Sequence, residues 1–79
     1  MRRYYLQPTP GTVKSFYNKA EVEINDDGSA ILYSYKTPIL KETPAGLFRI
    51  WNGWSATTGR HIKAFCGINK AEFDKLPTL

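Results

Sequence analysis

Two side chains of this 79-residue chain have types suited to covalent or metal chemistry: His61, its one histidine, and Cys66, its one cysteine. Nucleophilic catalysis needs a thiolate and a base within hydrogen-bond reach. Five positions apart on one helix, these two project about 140° apart and do not meet. Cys66 follows Phe65 and stands one helical turn after Ile62, the setting of a small core residue rather than of an activated nucleophile. A tetrahedral zinc shell is not completed by one histidine and one cysteine without carboxylates or a second subunit. Phosphate-loop, dinucleotide-binding, nucleophile-elbow and paired-histidine motifs do not occur. The expectation is a non-enzymatic protein with no catalytic residue, metal or cofactor.

A second constellation has binding chemistry. Ser55, Thr57, Thr58, Arg60 and His61 gather near the start of a helix, where free N–H groups and the helix dipole favour an anion. Arg60 adds a forked donor suited to a phosphate or carboxylate. Three hydroxyls exceed what capping needs, although serine and threonine also serve turn formation there. His61 therefore has two readings: a structural residue on the flank of the apolar face that bonds the sheet, or a member of this anion site. Trp51 and Trp54 flank Asn52-Gly53, with one expected in the core and the other exposed as an interface anchor. The candidate binding residues are Trp54, Ser55, Thr57, Thr58, Arg60 and His61.

The elements that must position them are read from periodicity. Leu47–Asn52 alternates as a strand, and Asn52-Gly53 signals a turn. Ile62, Phe65 and Cys66 then share one helical face, which predicts a helix over Ser55–Cys66. Gly59 inside it costs up to about 1 kcal/mol against alanine. Gly67 suits a left-handed cap. Asn69 with Glu72 reads as a capping box opening a second helix, Lys70–Leu76, with Ile68 and Phe73 at staple positions and Pro77 ending it.

Upstream, Met1–Leu6 reads as an edge strand with a charged start, or as an arm whose arginines and tyrosines meet nucleic acid. Gln7–Gly11 is a proline-rich loop, Thr12–Tyr17 a strand and Asn18-Lys19 a tight turn. Ala20–Asn25 alternates clearly, with Ala20, Val22 and Ile24 opposite Glu21 and Glu23. Asp26-Asp27-Gly28 is a hairpin turn leading to Ser29–Lys36, apolar on both faces and so central in the sheet. Pro38 marks a strand end, an edge or a bulge, after which Ile39-Leu40 continues briefly. Thr43-Pro44-Ala45-Gly46 is a turn returning the chain to Leu47–Asn52. The predicted class is α+β: an antiparallel meander of about four strands with the Ser55–Cys66 helix on one face and a short second helix beside it.

Composition sets the limits. The length allows one domain, and 42% hydrophobic residues supply a core. Aromatic residues, 14% of the chain, cover much area with few side chains. A chain this small buries little, so a homodimer remains open. One cysteine excludes an internal disulfide and, with no signal peptide recognisable, leads to the expectation of a cytoplasmic location. No apolar run reaches the roughly 18–20 residues that cross a membrane, so no membrane partner is expected. The net charge of +4 is scattered along the chain, as in a solubility charge, although it also attracts nucleic acid or acidic proteins.

Two pieces, SYKTPI at Ser34–Ile39 and WSATTGRHIKAF at Trp54–Phe65, resemble a pattern found in a family of small phage and prophage proteins of unknown function. The pattern is Ser-Tyr-x-Thr-x-Ile, then aromatic-Ser-x-Thr-Thr-x-x-His-Ile. Together the pieces cover about a quarter of the chain. The match falls on Ser55, Thr57, Thr58, His61 and Ile62, with Trp54 where tyrosine is commoner and Pro38 as an added proline. The resemblance implies a phage or mobile-element origin and a host-cytoplasm location, and supplies no mechanism. The expected function is binding of a host or phage protein partner. The alternative is nucleic-acid binding through Arg2, Arg3, Arg60 and Lys63 with exposed tyrosines.

Overall fold

Polar, turn-forming pairs separate short stretches of alternating residues, and that spacing folds the first two-thirds of the chain into a meander. The structure, a computed structural model, describes residues 2–8 and 15–79. Strands β1 (Arg2–Tyr5), β2 (Ala20–Ile24), β3 (Ala30–Ser34), β4 (Thr37–Thr43) and β5 (Gly46–Arg49) form one sheet in that order. Every neighbouring pair is antiparallel. Helices α1 (Ala56–Cys66) and α2 (Lys70–Asp74) follow, completing the α+β architecture.

Alternation sorts the two faces of the sheet. Ala20, Val22, Leu32 and Ser34 are buried on the face that meets α1. Glu21 and Glu23 point the other way, where both accept hydrogen bonds from Arg3, whose guanidinium lies over the Tyr33 ring. The buried core joins Val22, Leu32, Ile39 and Leu40 of the sheet to Ile62 of α1 and Phe73 of α2.

Ile39 and Leu40 are consecutive yet both lie in that core, which a regular strand does not permit. The register explains it. Leu32 faces Leu40 while Tyr33 faces Pro38, so Ile39 is an extra residue in β4. This is a β-bulge, and Pro38, which has no N–H to give a ladder, sits beside it. The Ile39 carbonyl accepts from the N–H groups of both Ile50 and Trp51. That pair of hydrogen bonds draws the chain out of the β4–β5 ladder just after β5.

Several expectations need correction. The sheet has five strands rather than about four, because the edge segment pairs as β1 and β4 runs through Pro38. The strand placed at Leu47–Asn52 is Gly46–Arg49, since Ile50 and Trp51 bond to the bulge carbonyl instead of extending a ladder. Within the segment read as a strand at Thr12–Tyr17, Ser15 and Phe16 are irregular and Tyr17 is in a turn, while residues 12–14 lie outside the described residues. The loop placed at Gln7–Gly11 is irregular at Gln7 and Pro8, and its remainder lies outside the described residues. The tight turn is centred on Tyr17-Asn18, one residue earlier than Asn18-Lys19. Ser29–Lys36 divides into β3 and a turn at Tyr35-Lys36. The second helix is shorter than Lys70–Leu76, ending at Asp74.

The helix starts follow their caps. Ser55 caps α1, its hydroxyl accepting from the Thr58 N–H, and Gly67 closes it in the left-handed region. Asn69 and Glu72 form the capping box of α2. Neither tryptophan is an exposed anchor: both are half-buried and pack against the core. Trp54 lies 5.6 Å from the Phe73 ring, centroid to centroid. The two neighbouring glycines are explained by the rings. A Cβ on Gly53 would meet Trp51 at 2.6 Å, and one on Gly59 would meet Trp54 at 2.5 Å. Gly59 is therefore the residue that lets Trp54 pack closely against α1. Gly59→Ala is expected to lower stability by about 1–2 kcal/mol, despite a helix-propensity gain of about 1 kcal/mol, because an indole wedged on two sides has nowhere to go. A urea melt measures this, and a raised midpoint would refute the packing argument.

Candidate functional site

On an α-helix, positions i, i+3 and i+4 form one flank. Thr57, Arg60 and His61 have that spacing on α1 and line one wall of a cavity of about 520 Å³. Ser15, Phe16, Tyr17, Lys19 and Tyr35 complete the lining. Two turns bring these together. The Lys19 N–H donates to the Phe16 carbonyl across Tyr17 and Asn18, whose φ angles are 51° and 60°. Tyr35 and Lys36, with φ of 51° and 67°, link β3 to β4. The Tyr35 N–H donates to the Lys19 carbonyl at 2.8 Å, so the turns stand side by side. Positive φ at both central residues matches the right-handed twist of the flanking strands, as in a type I′ turn. For residues other than glycine it costs roughly 1–2 kcal/mol each. The outcome is that Tyr17 and Tyr35 stand 74% and 55% exposed on the cavity rim.

His61 forms the floor at 1% exposure. The Phe16 ring meets the imidazole nearly edge-on at 4.5 Å between centroids, and Tyr35 lies tilted at 6.0 Å. The imidazole Nδ1 is 2.8 Å from Ser34 Oγ, which is in turn 3.0 Å from Thr58 Oγ1. Two helix side chains are thereby joined to β3 through one buried serine. Burial pushes the imidazole below its ordinary pKa of 6.5, so the ring is neutral at neutral pH. Its Nε2 has no hydrogen-bond partner among the described residues, and the ring lines the cavity.

The six residues picked from the sequence separate in space. Thr57, Arg60 and His61 meet at the cavity, and Thr58 lies beneath it in the hydrogen bond with Ser34. Ser55 is occupied in capping and borders a smaller hollow with Thr58, Trp51 and Ile39. Trp54 faces Phe73 and Gly59 instead. The cavity thus lies along the side of α1, not at its N-terminal end. Sequence reasoning missed Phe16, Tyr17, Lys19, Ser34 and Tyr35. Ser34 and Tyr35 stood in the Ser34–Ile39 motif without being taken as site residues, and the signal for the others was slight: an aromatic pair before Asn18 in a turn without glycine.

Cys66 is half-buried, its thiol 3.5 Å from the Ile62 carbonyl, and burial pushes its pKa up. A thiol held in the protonated form is a poor nucleophile. Among the described residues no group of three His, Cys, Asp or Glu gathers that could hold a metal. No helix among them is long and apolar enough to cross a membrane.

The buried serine makes two testable claims. Ser34→Ala leaves Thr58 and His61 without their shared partner, and stability should fall by about 1–3 kcal/mol in a urea melt; an unchanged midpoint would show that the bonds are replaceable. For His61, the folded pKa lies below the unfolded one, so between them the unfolded chain binds more protons and folding weakens as pH falls. Stability should be flat just above pH 6.5 and decline below it, and the decline in that window should vanish in His61→Gln. A proton NMR titration of the one imidazole should place its pKa below 6.5; a value above it would reverse the sign.

Comparison with known proteins gives a single result. No curated protein and no solved structure matches the chain. Residues 4–76 match a family of unknown function, DUF8033. Because the match spans nearly the whole length, from the middle of β1 to just beyond α2, the chain is a member of the DUF8033 family.

Proposed function

We propose that the chain is a non-enzymatic binding module that docks a protein partner at the cavity end of its sheet. The observation that carries this reading is the pair of exposed tyrosines, Tyr17 and Tyr35, fixed by adjacent turns beside Lys19 and Arg60. Aromatic rings held by their backbone offer a partner large contact area at little entropic cost, and tyrosine and arginine are enriched in binding hot spots. Acid–base chemistry has less support. His61 is neutral, its Nδ1 is bound to a serine at 2% exposure, and among the described residues no carboxylate lines the cavity. The resemblance to phage and prophage proteins supports a mobile-element origin and a partner in the host cytoplasm.

Nucleic-acid binding through Arg2, Arg3, Arg60 and Lys63 is the weaker reading, because these cations do not gather. Arg3 is engaged by Glu21 and Glu23 on the face of the sheet away from α1, whereas Arg60 and Lys63 belong to α1. A pull-down from bacterial host lysate, run with the wild-type chain and with Tyr35→Ala as baits, distinguishes the two readings. The expected result is a protein retained by the wild type and lost by the variant. If no recovered protein depends on Tyr35, and the chain instead binds single-stranded DNA with affinity that falls steeply with salt, the nucleic-acid reading replaces this one.

A further inference from the structure

The cavity has a composition that selects among guests. Its apolar surface comes from the rings of Phe16, Tyr17 and Tyr35, which favour a flat apolar body that can stack or meet them edge-on. Its charge comes from Lys19 and Arg60, with no carboxylate among the described lining residues, which favours an anion. Its floor is an imidazole 99% buried, whose Nε2 has no partner among the described residues. A polar nitrogen at the bottom of an aromatic well is costly to cover with hydrocarbon and gains from a hydrogen bond to a guest. The volume of about 520 Å³ falls within the usual span for small-molecule sites, roughly 300–1,000 Å³.

We propose that this cavity binds a group in which one carboxylate is joined to a planar apolar ring, the ring lying among Phe16, Tyr17 and Tyr35 and the carboxylate meeting Arg60, Lys19 and the His61 nitrogen. Lys19 and Arg60, the cations among the described lining residues, suit a single negative charge. A nucleic-acid backbone would need a row of them; Lys36 borders the adjoining hollow with Lys19, but that hollow also holds Glu21, and Arg3 is engaged by Glu21 and Glu23. The inference rests on the binding-module reading and adds the chemistry of what the module grips. That chemistry has two sources, a free aromatic carboxylic acid or the C-terminal residue of a protein chain that ends in an aromatic side chain.

The test uses the full chain and proton NMR, in which the single imidazole is a clean reporter at the cavity floor. The probes are phenylacetate, acetate, benzyl alcohol, inorganic phosphate, and a short peptide ending in phenylalanine with its terminus free or amidated. Phenylacetate and the free-ended peptide should shift the His61 and Tyr35 resonances saturably. Acetate, benzyl alcohol and the amidated peptide should bind at least about tenfold more weakly, because each lacks one half of the recognised group. Arg60→Gln should weaken phenylacetate by a similar factor and leave benzyl alcohol unchanged, which separates lost recognition from lost folding. Tighter binding of the peptide than of phenylacetate assigns the site to a chain terminus, and the reverse assigns it to a free acid. Acetate or phosphate binding as tightly as phenylacetate would overturn the proposal, as would the absence of any saturable shift at His61. If that absence accompanies a Tyr35-dependent partner in the pull-down, the ligand chemistry fails and the docking reading survives.

Discussion

The hydroxyl of Ser34 holds the two layers of this protein in one relative position. The surrounding core is apolar, and apolar contacts alone allow a helix to roll or slide by small amounts on a sheet. A buried polar group does not share that tolerance, because an unmade hydrogen bond in a dry layer costs more than a made one contributes. Thr58 and His61, three residues apart on α1, converge on the same strand residue. Their joint demand fixes the rotation of α1, and with it the flank formed by Thr57, Arg60 and His61. The cavity wall is therefore a by-product of how the core is satisfied. His61 bonds the sheet through one nitrogen while its ring lines the cavity.

The parts legible in the sequence were those governed by local physics. The alternation of Ala20, Val22 and Ile24 against Glu21 and Glu23, the Asp26-Asp27-Gly28 turn, the central position of β3, the Ser55 cap and the Asn69–Glu72 capping box each depend on residues close together in the chain, and each is present. What stayed hidden depends on distant pairs. The wall opposite α1 comes from a turn preceding β2 and another following β3, and their adjacency is a property of sheet order. Asn18 signalled the first turn, placed one residue late, whereas nothing in Tyr35-Lys36 favours positive φ. Gly53 and Gly59 misled for a related reason. Each read as a conformational signal, a turn or a weak point in a helix, while the structure uses both as space for an indole ring.

Stability and site draw on opposite resources here. The buried core is a small set of aliphatic side chains with one phenylalanine, tightly enclosed between sheet and helices. Against it stand non-glycine residues in left-handed backbone, among them the exposed Tyr17 and Tyr35. Such positions persist only when their surroundings over-determine them. The hydrogen bond from the Tyr35 N–H to the Lys19 carbonyl and the pairing of Ser34 with Thr37 supply that constraint at the base of the rim.

The extra residue at Ile39 also governs how the chain tolerates changes of length. One carbonyl there receives two amides and so meters the distance between the end of the last strand and the first helical turn. Deleting Ile39 would remove the carbonyl that receives both amides and release the segment carrying both indoles. Lengthening the exposed hairpin tip at Pro44-Ala45, by contrast, would leave every ladder partner where it is. The molecule can thus vary in size at its periphery while its middle is counted out residue by residue.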